Sequence, residues 1–280
     1  MKKFLSLLII LLSVALAPLG LVRAQVIVAP TILYMSDHDP FGTFVVMNRS
    51  RDPQEISVSF KFGYPTSDSL GNIFMRYDDS LAADKYSCNE WLRGFPKQFV
   101  LNPDQQQVVR LVITPQQDLP NGVYWTRLIT RSTPQVKFVD TVKTGVTANI
   151  TFVLEQVTTI VFEKGSVNTS ISVSDGGTFT DSTHLNVLAN LNRGGNAPFL
   201  GTVNLKILDA AGNTVYTDKL LIAAYFSMHV KFAVPLSNLR VGDRYTAILD
   251  VSSDRPDIPP ENAIKISPIE QSIPFTLSEK

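Results

Sequence analysis

The chain has few of the residues that build cross-links or metal sites: its 280 residues include one cysteine, Cys88, and three histidines. One thiol makes no internal disulfide, so the folded chain must be held by packing alone, and Cys88 reads as incidental. Neither sign of charge is in excess, with 25 Lys and Arg against 25 Asp and Glu. The basic surplus expected of a nucleic-acid binder is therefore missing. Beyond residue 24 no apolar run is long enough to span a membrane as a helix. Gly-x-Ser-x-Gly, His-Glu-x-x-His and Gly-x-x-x-x-Gly-Lys-Ser/Thr are all absent.

The few polar clusters point to turns. In Ser36-Asp37-His38-Asp39-Pro40 two carboxylates flank an imidazole, the raw material of a metal or acid–base site. Adjacent side chains on an extended loop point apart, however, and an Asp-Pro turn accounts for the same residues. His184 lies near a strand start, and His229 borders the alternating run Val230–Val234. Asp78-Asp79 reads as a solvated turn. A glycosidase's two carboxylates can lie far apart in sequence, but nothing nominates a pair. The expectation is a protein without catalytic residues, metal or cofactor.

The first 24 residues open with Lys2 and Lys3, run apolar from Phe4 to Leu21, and close on Val22-Arg23-Ala24. This order reads as a cleaved secretory signal, with a membrane anchor as the alternative. Pro18 and Gly20 interrupt the run, and no positive cluster follows it, which favours export. Removing the segment leaves 256 residues with 22 basic and 25 acidic side chains, a net charge of −3.

The remainder is dominated by alternation with a period of two, the signature of half-buried strands. It is clear in Ile56-Ser57-Val58-Ser59-Phe60, in Val187, Ala189 and Leu191, and in Tyr245, Ala247, Leu249 and Val251. Turn formers separate the runs, among them Asn102-Pro103-Asp104, Pro120-Asn121-Gly122 and Gly194-Gly195-Asn196. Only Asp79–Trp91 suggests a turn or two of helix. The pattern predicts an all-β protein of two immunoglobulin-like sandwiches, seven strands each, joined by a short connection. The expected units are 25–155 and 156–280, with a cleft between them.

Phe95-Pro96 followed by Asn102-Pro103-Asp104, then Val108-Val109-Arg110-Leu111 and Leu119-Pro120-Asn121-Gly122-Val123-Tyr124-Trp125, resembles the periplasmic pilus chaperones of the chaperone–usher pathway. Val26–Tyr34 and Gly42–Asn48 look like that family's first two strands. The resemblance covers most of residues 26–155 except about 63–94, and over 157–280 it rests on strand content alone. It implies a non-enzymatic periplasmic protein that binds secreted or pilus-type subunits, with an outer-membrane usher as a further partner. Secretion or a place on the cell surface is the alternative location.

The same resemblance implies a mechanism in which one strand is lent to an incomplete subunit. Val146, Ala148, Ile150, Phe152 and Leu154 have the alternation such a strand needs. Members of the family also anchor the subunit's terminal carboxylate with an Arg and a Lys, and here those places align with Thr31 and Thr151. A substitute cation, Arg110, Arg127 or Lys143, requires that folding bring it into the cleft. The rival expectation is a structural or adhesive envelope protein whose sandwiches serve as spacers. A lent strand should leave its apolar face exposed, and a core strand should not.

Overall fold

A computed structural model describes residues 26–135 and 152–277. Four strands open the fold: β1 (Val26–Ala29), β2 (Ile32–Ser36), β3 (Phe41–Asn48) and β4 (Gln54–Lys61). A hairpin of β5 (Tyr64–Ser67) and β6 (Ile73–Arg76) follows, then a short helix, α1 (Ser80–Tyr86). Next come β7 (Leu92–Phe95), β8 (Gln98–Leu101), β9 (Gln106–Ile113), β10 (Gly122–Pro134) and β11 (Leu154–Lys164). Two sheets, ordered β1-β3-β9-β7 and β2-β11-β10-β4-β8, face each other. Pro30 and Thr31 carry the chain from one sheet to the other, and β2 lies parallel to β11.

Alternation decides what this sandwich buries. Phe44, Val46, Val109 and Leu111 from one sheet meet Ile56, Leu128, Ile160 and Phe162 from the other. Each such side chain contributes about 1.5–3 kcal/mol on leaving water. The helical stretch is the seven residues of α1, followed by a single 3-10 turn at Asn89–Trp91. Asp79 caps α1 by accepting from the Ala82 amide at 2.9 Å, satisfying one of the orphan amides of the first turn.

The second half contains β12 (Thr169–Thr180), β13 (His184–Gly195), β14 (Phe199–Asp209), β15 (Thr214–Ala224), β16 (Met228–Pro235), β17 (Arg244–Ser252) and β18 (Ile269–Thr276). Its sheets run β12-β13-β16 and β15-β14-β17-β18 around a separate core that includes Val187, Leu191, Phe199, Leu205, Phe232 and Leu249. Three and four strands make the expected seven in this half, whereas the first sandwich has sheets of four and five.

The division expected at Glu155-Gln156 falls inside β11 and is corrected by the pairing. That strand stays with β10 along its whole length, and Ile160 and Phe162 sit opposite Thr126 and Tyr124. The sheet partners change only after Lys164, before Thr169. Alternation marks a strand without saying which sheet it joins, so the boundary moved by about one strand.

A third apolar cluster joins the two halves. Phe62, Tyr64, Val123, Trp125 and Val161 of the first sandwich pack with Ala197 and Tyr225 of the second. The Trp125 and Tyr225 rings lie 4.6 Å apart, and Tyr64 and Phe226 meet edge to face at 4.7 Å. Two of the turn motifs meet here as well: the Val123 amide donates to the Asn196 carbonyl at 3.0 Å, and Asn196 Nδ2 donates to the Asn121 carbonyl at 3.1 Å. Buried aromatics and backbone hydrogen bonds together hold the two sandwiches at one angle.

Candidate partner-binding site

β11 has neighbours on both sides for only part of its length. On one side β10 pairs with it from Leu154 to Lys164. On the other, β2 pairs with it only from Thr159 to Glu163. Among the described residues, the outer edge of Leu154–Val157 faces no strand. Exposed apolar side chains surround this edge: Phe152 is 70% exposed, Val153 43% and Val157 46%.

Of the five residues expected to form a lent strand, Val146, Ala148 and Ile150 lie outside the described residues. Phe152 stands free just before β11, and Leu154, half-buried, opens that strand. Thr31 is exposed at the start of β2, and its carbonyl accepts from the Thr159 amide at 2.9 Å. The register pairs Thr159 with Ile32, and Thr151 lies outside the described residues.

Of the three candidate cations, Arg127 is the one placed at the junction of the two sandwiches. On β10 the residues Val123, Trp125 and Arg127 turn away from the first core and toward the second sandwich, while Tyr124 and Leu128 turn inward. Arg127 is 5% exposed, donates from Nε to the Gly63 carbonyl at 2.9 Å and from Nη1 to the Thr159 hydroxyl, and lies 5.0 Å from the centre of the Tyr225 ring. Its Nη2 is buried with no hydrogen-bond partner among the described residues. None of the ion pairs among the described residues includes it. A buried charge without a counter-charge is destabilising by several kcal/mol, and one aromatic face offsets only about 0.5–2 kcal/mol of that. Arg110 is exposed on β9, and Lys143 lies outside the described residues.

The guanidinium borders a recess of about 150 Å³ between the two sandwiches, walled by Ile32, Pro65, Met75, Thr159 and Leu200 together with Tyr225. Arg255 also faces this recess, but it is tied to Asp257 and to the Ile222 carbonyl. In the adjoining recess Tyr34 and Glu163 face Tyr225. Burial, reinforced by Tyr225, pushes the Tyr34 hydroxyl up to about 12, and burial also raises the Glu163 carboxyl. The junction therefore disfavours negative charge on its own groups while keeping one unneutralised cation.

The remaining polar motifs do other work. His38 is exposed in its loop, where Asp37 pairs with Lys164 at 3.0 Å. The His229 amide donates to the Ser67 hydroxyl at 2.6 Å across the junction. His184 Nδ1 lies 2.8 Å from the Thr183 hydroxyl. Burial pushes the Cys88 thiol up to about 12, which keeps it unreactive. Among the described residues, no group of three or more His, Cys, Asp or Glu is placed to hold a metal, and no helix is long and apolar enough to cross a membrane.

No family model matches the sequence, and no curated protein matches it. Among solved structures the chain is similar to the YadV chaperone, at 9% identity over 90% of this chain and 100% of that one, with a TM-score of 0.47. It is also similar to the CupB2 chaperone of Pseudomonas aeruginosa, at 10% identity over 90% and 100% of the two chains and a TM-score of 0.46. A structure of the Salmonella enterica SafA pilin in complex with the SafB chaperone matches at 13% identity, 90% and 97% coverage and a TM-score of 0.43. The likeness is one of overall strand arrangement, and the site stands on its own geometry.

Proposed function

We propose that the protein is an exported chaperone that binds secreted, pilus-type subunits by strand addition along the outer half of β11. The observation that carries this reading is the edge of Leu154–Val157, which no strand among the described residues pairs, with Phe152, Val153 and Val157 exposed beside it. Such an edge invites indiscriminate pairing unless a partner occupies it. An incomplete subunit supplies that partner: main-chain hydrogen bonds give affinity, and alternate side chains set the register. In this reading Val146, Ala148 and Ile150 extend the lent strand ahead of Phe152 and Leu154. The compartment is the periplasm, and an outer-membrane usher is a later partner.

The site also suggests which end of the subunit arrives at the cleft. From Ile32 onward β2 occupies the line that an added strand would follow. The added strand must stop near Thr31 and Thr159, where Arg127 waits with an unpartnered Nη2. A cation there favours a terminal carboxylate over a terminal amine, so the added strand runs parallel to β11. A rigid two-sandwich spacer would use the fixed junction equally well but has no use for the free edge.

Co-expression with a pilin-like subunit from the same genome tests the proposal, with gel filtration of the periplasmic fraction as the measurement. A 1:1 complex is expected. Phe152→Asp together with Leu154→Asp, two residues on one face of the strand, should abolish it, because each aspartate would be buried unpaired in the subunit's groove. Phe152 is exposed and Leu154 only half-buried in the free protein, so the fold should hold. A complex that persists in the double variant would sink the reading.

A further inference from the structure

Residues 63–94, the stretch outside the family resemblance, supply the β5–β6 hairpin and α1. The hairpin lies along β16, the outer strand of the sheet β12-β13-β16. The His229 amide donates to the Ser67 hydroxyl, and Lys231 Nζ donates to Asn72 Oδ1 at 2.7 Å. Gly71, at the hairpin turn with φ +74, lies so close to Lys231 that a Cβ would come within 2.7 Å of it. Both the left-handed backbone and the tight approach require glycine there. The hairpin thus covers one sheet edge and presents another, because β6 pairs with β5 alone among the described residues.

Which groups of β6 face outward follows from one proline. Pro65 sits opposite Met75 and has no N–H, so these two are not a hydrogen-bonded pair. The bonded positions alternate with them, and the Asp68 amide accordingly donates to the Asn72 carbonyl at 3.1 Å. The amides and carbonyls of Ile73 and Met75 therefore point away from β5. All four residues of β6 are exposed, and Ile73, Phe74 and Met75 are apolar. The usual guards of such an edge, a lysine, a proline or a bulge, are missing between Asn72 and Arg76.

We propose that β6 pairs antiparallel with β6 of a second copy of this chain, about a two-fold axis through Phe74. In that register Ile73 and Met75 of one copy exchange hydrogen bonds with Met75 and Ile73 of the other. Each outward group finds a partner, and the two Phe74 rings meet at the axis. Charge complementarity selects the second copy as the occupant. Arg76 falls opposite Asn72 of the other copy, whose Nδ2 donates to the Asp68 carboxylate at 2.7 Å. Asp68, Asn72 and the incoming Arg76 stand in one row on one face, with about 10 Å between the Asp68 and Arg76 backbones. A guanidinium and a carboxylate span that gap, and the axis repeats the pair. The present partner of Arg76 is Asp78, exposed and 3.9 Å away, which leaves the guanidinium free to turn. Such a short strand makes an interface below about 1,200 Å², so the dimer is weak, and its two-fold symmetry closes it at two copies. The inference is independent of the chaperone reading, since it makes no use of β11.

Sedimentation velocity of the mature chain between about 1 µM and 1 mM tests this. Monomer should give way to dimer and to nothing larger. Met75→Pro removes an outward amide but no bond to β5, so the hairpin should persist while dimerisation weakens by about tenfold or more. Phe74→Asp, which sets two carboxylates face to face at the axis, should weaken it at least as far. Phe74→Cys locates the contact, because two cysteines at a non-hydrogen-bonded pair are close enough for a disulfide, and Cys88 is buried. Oxidised Phe74→Cys should become a covalent dimer, whereas Leu81→Cys, more exposed but off the edge, should not. A chain that stays monomeric throughout overturns the proposal. So does a dimer that survives both Met75→Pro and Phe74→Asp, or equal cross-linking at positions 74 and 81. A monomer whose subunit complex is lost in Phe74→Asp also overturns it, and assigns the edge to the subunit instead.

Discussion

The two halves of β11 share one alternating pattern and have opposite fates. From Thr159 to Glu163 the strand lies between β2 and β10, and Ile160 and Phe162 are fully buried in the first core. From Leu154 to Val157 only β10, among the described residues, pairs with it, and Val157 is about half exposed. The difference comes from β2, which begins at Ile32 and, among the described residues, is followed by no strand along the line ahead of it. Apolar alternation therefore measures readiness to pair, and the neighbouring strand decides whether that readiness is spent inside the fold or kept for a partner.

The largest expected effect tests the inner half. Phe162→Ala should cost about 3–5 kcal/mol of stability, the usual range for emptying a buried aromatic site. Val157→Asp on the outer half should change stability by only about 0.5 kcal/mol. Urea denaturation of both variants measures the contrast directly. Equal losses would mean that the outer half is already packed against its own domain, and the comparison would collapse.

A smaller effect is expected at Arg127, which touches the strand where its two halves join. Arg127→Met keeps the apolar stem and removes the charge, giving up two hydrogen bonds worth about 1 kcal/mol each while relieving an unneutralised buried cation. Stability should thus stay within about 1.5 kcal/mol of the parent. Affinity for a partner with a free terminal carboxylate should fall by ten- to a hundredfold, the equivalent of about 1.5–3 kcal/mol for a hydrogen bond to a charged group. A large loss of stability with unchanged affinity would make Arg127 a purely structural residue.

Strand content and two sandwiches were legible in the sequence because alternation with a period of two survives wherever one face is buried. The boundary was not legible, since Ile160 and Phe162 look alike whether they pair with Tyr124 and Thr126 or with a strand of the second half. The pairing of Ile32 with Thr159 was hidden for a similar reason: it is a parallel pairing between residues more than a hundred positions apart, which no local pattern encodes. Arg127 could be named as a cation but not placed. Its role depends on which face of β10 turns toward the second sandwich, and hence on Trp125 and Val123 being drawn into the aromatic junction. The hairpin at 64–76 gave no alternation at all, because β6 is exposed along its entire length.

The smallest expected effect lies on the inner half's outward face, at Glu163. Burial beside Tyr34 holds its carboxyl above the ordinary value of 4.5. Between that value and the raised one, the folded chain binds more protons than the unfolded chain, so stability falls as pH rises through this window and stays lower above it. Glu163→Gln removes the titration. The variant should melt slightly above the parent at pH 7, and the difference should vanish below about pH 4, where both side chains are neutral. Glu155→Gln on the outer half is the control: Glu155 is exposed, 3.9 Å from Arg131, so its loss should change stability by less than about 1 kcal/mol. Thermal melts of both variants at pH 4 and pH 7 measure the contrast. A pH-dependent gain at Glu163 but not at Glu155 would show that β11 passes from solvent into the domain junction between these two residues. Matching behaviour at both would place Glu163 in water and remove the junction's bias against negative charge.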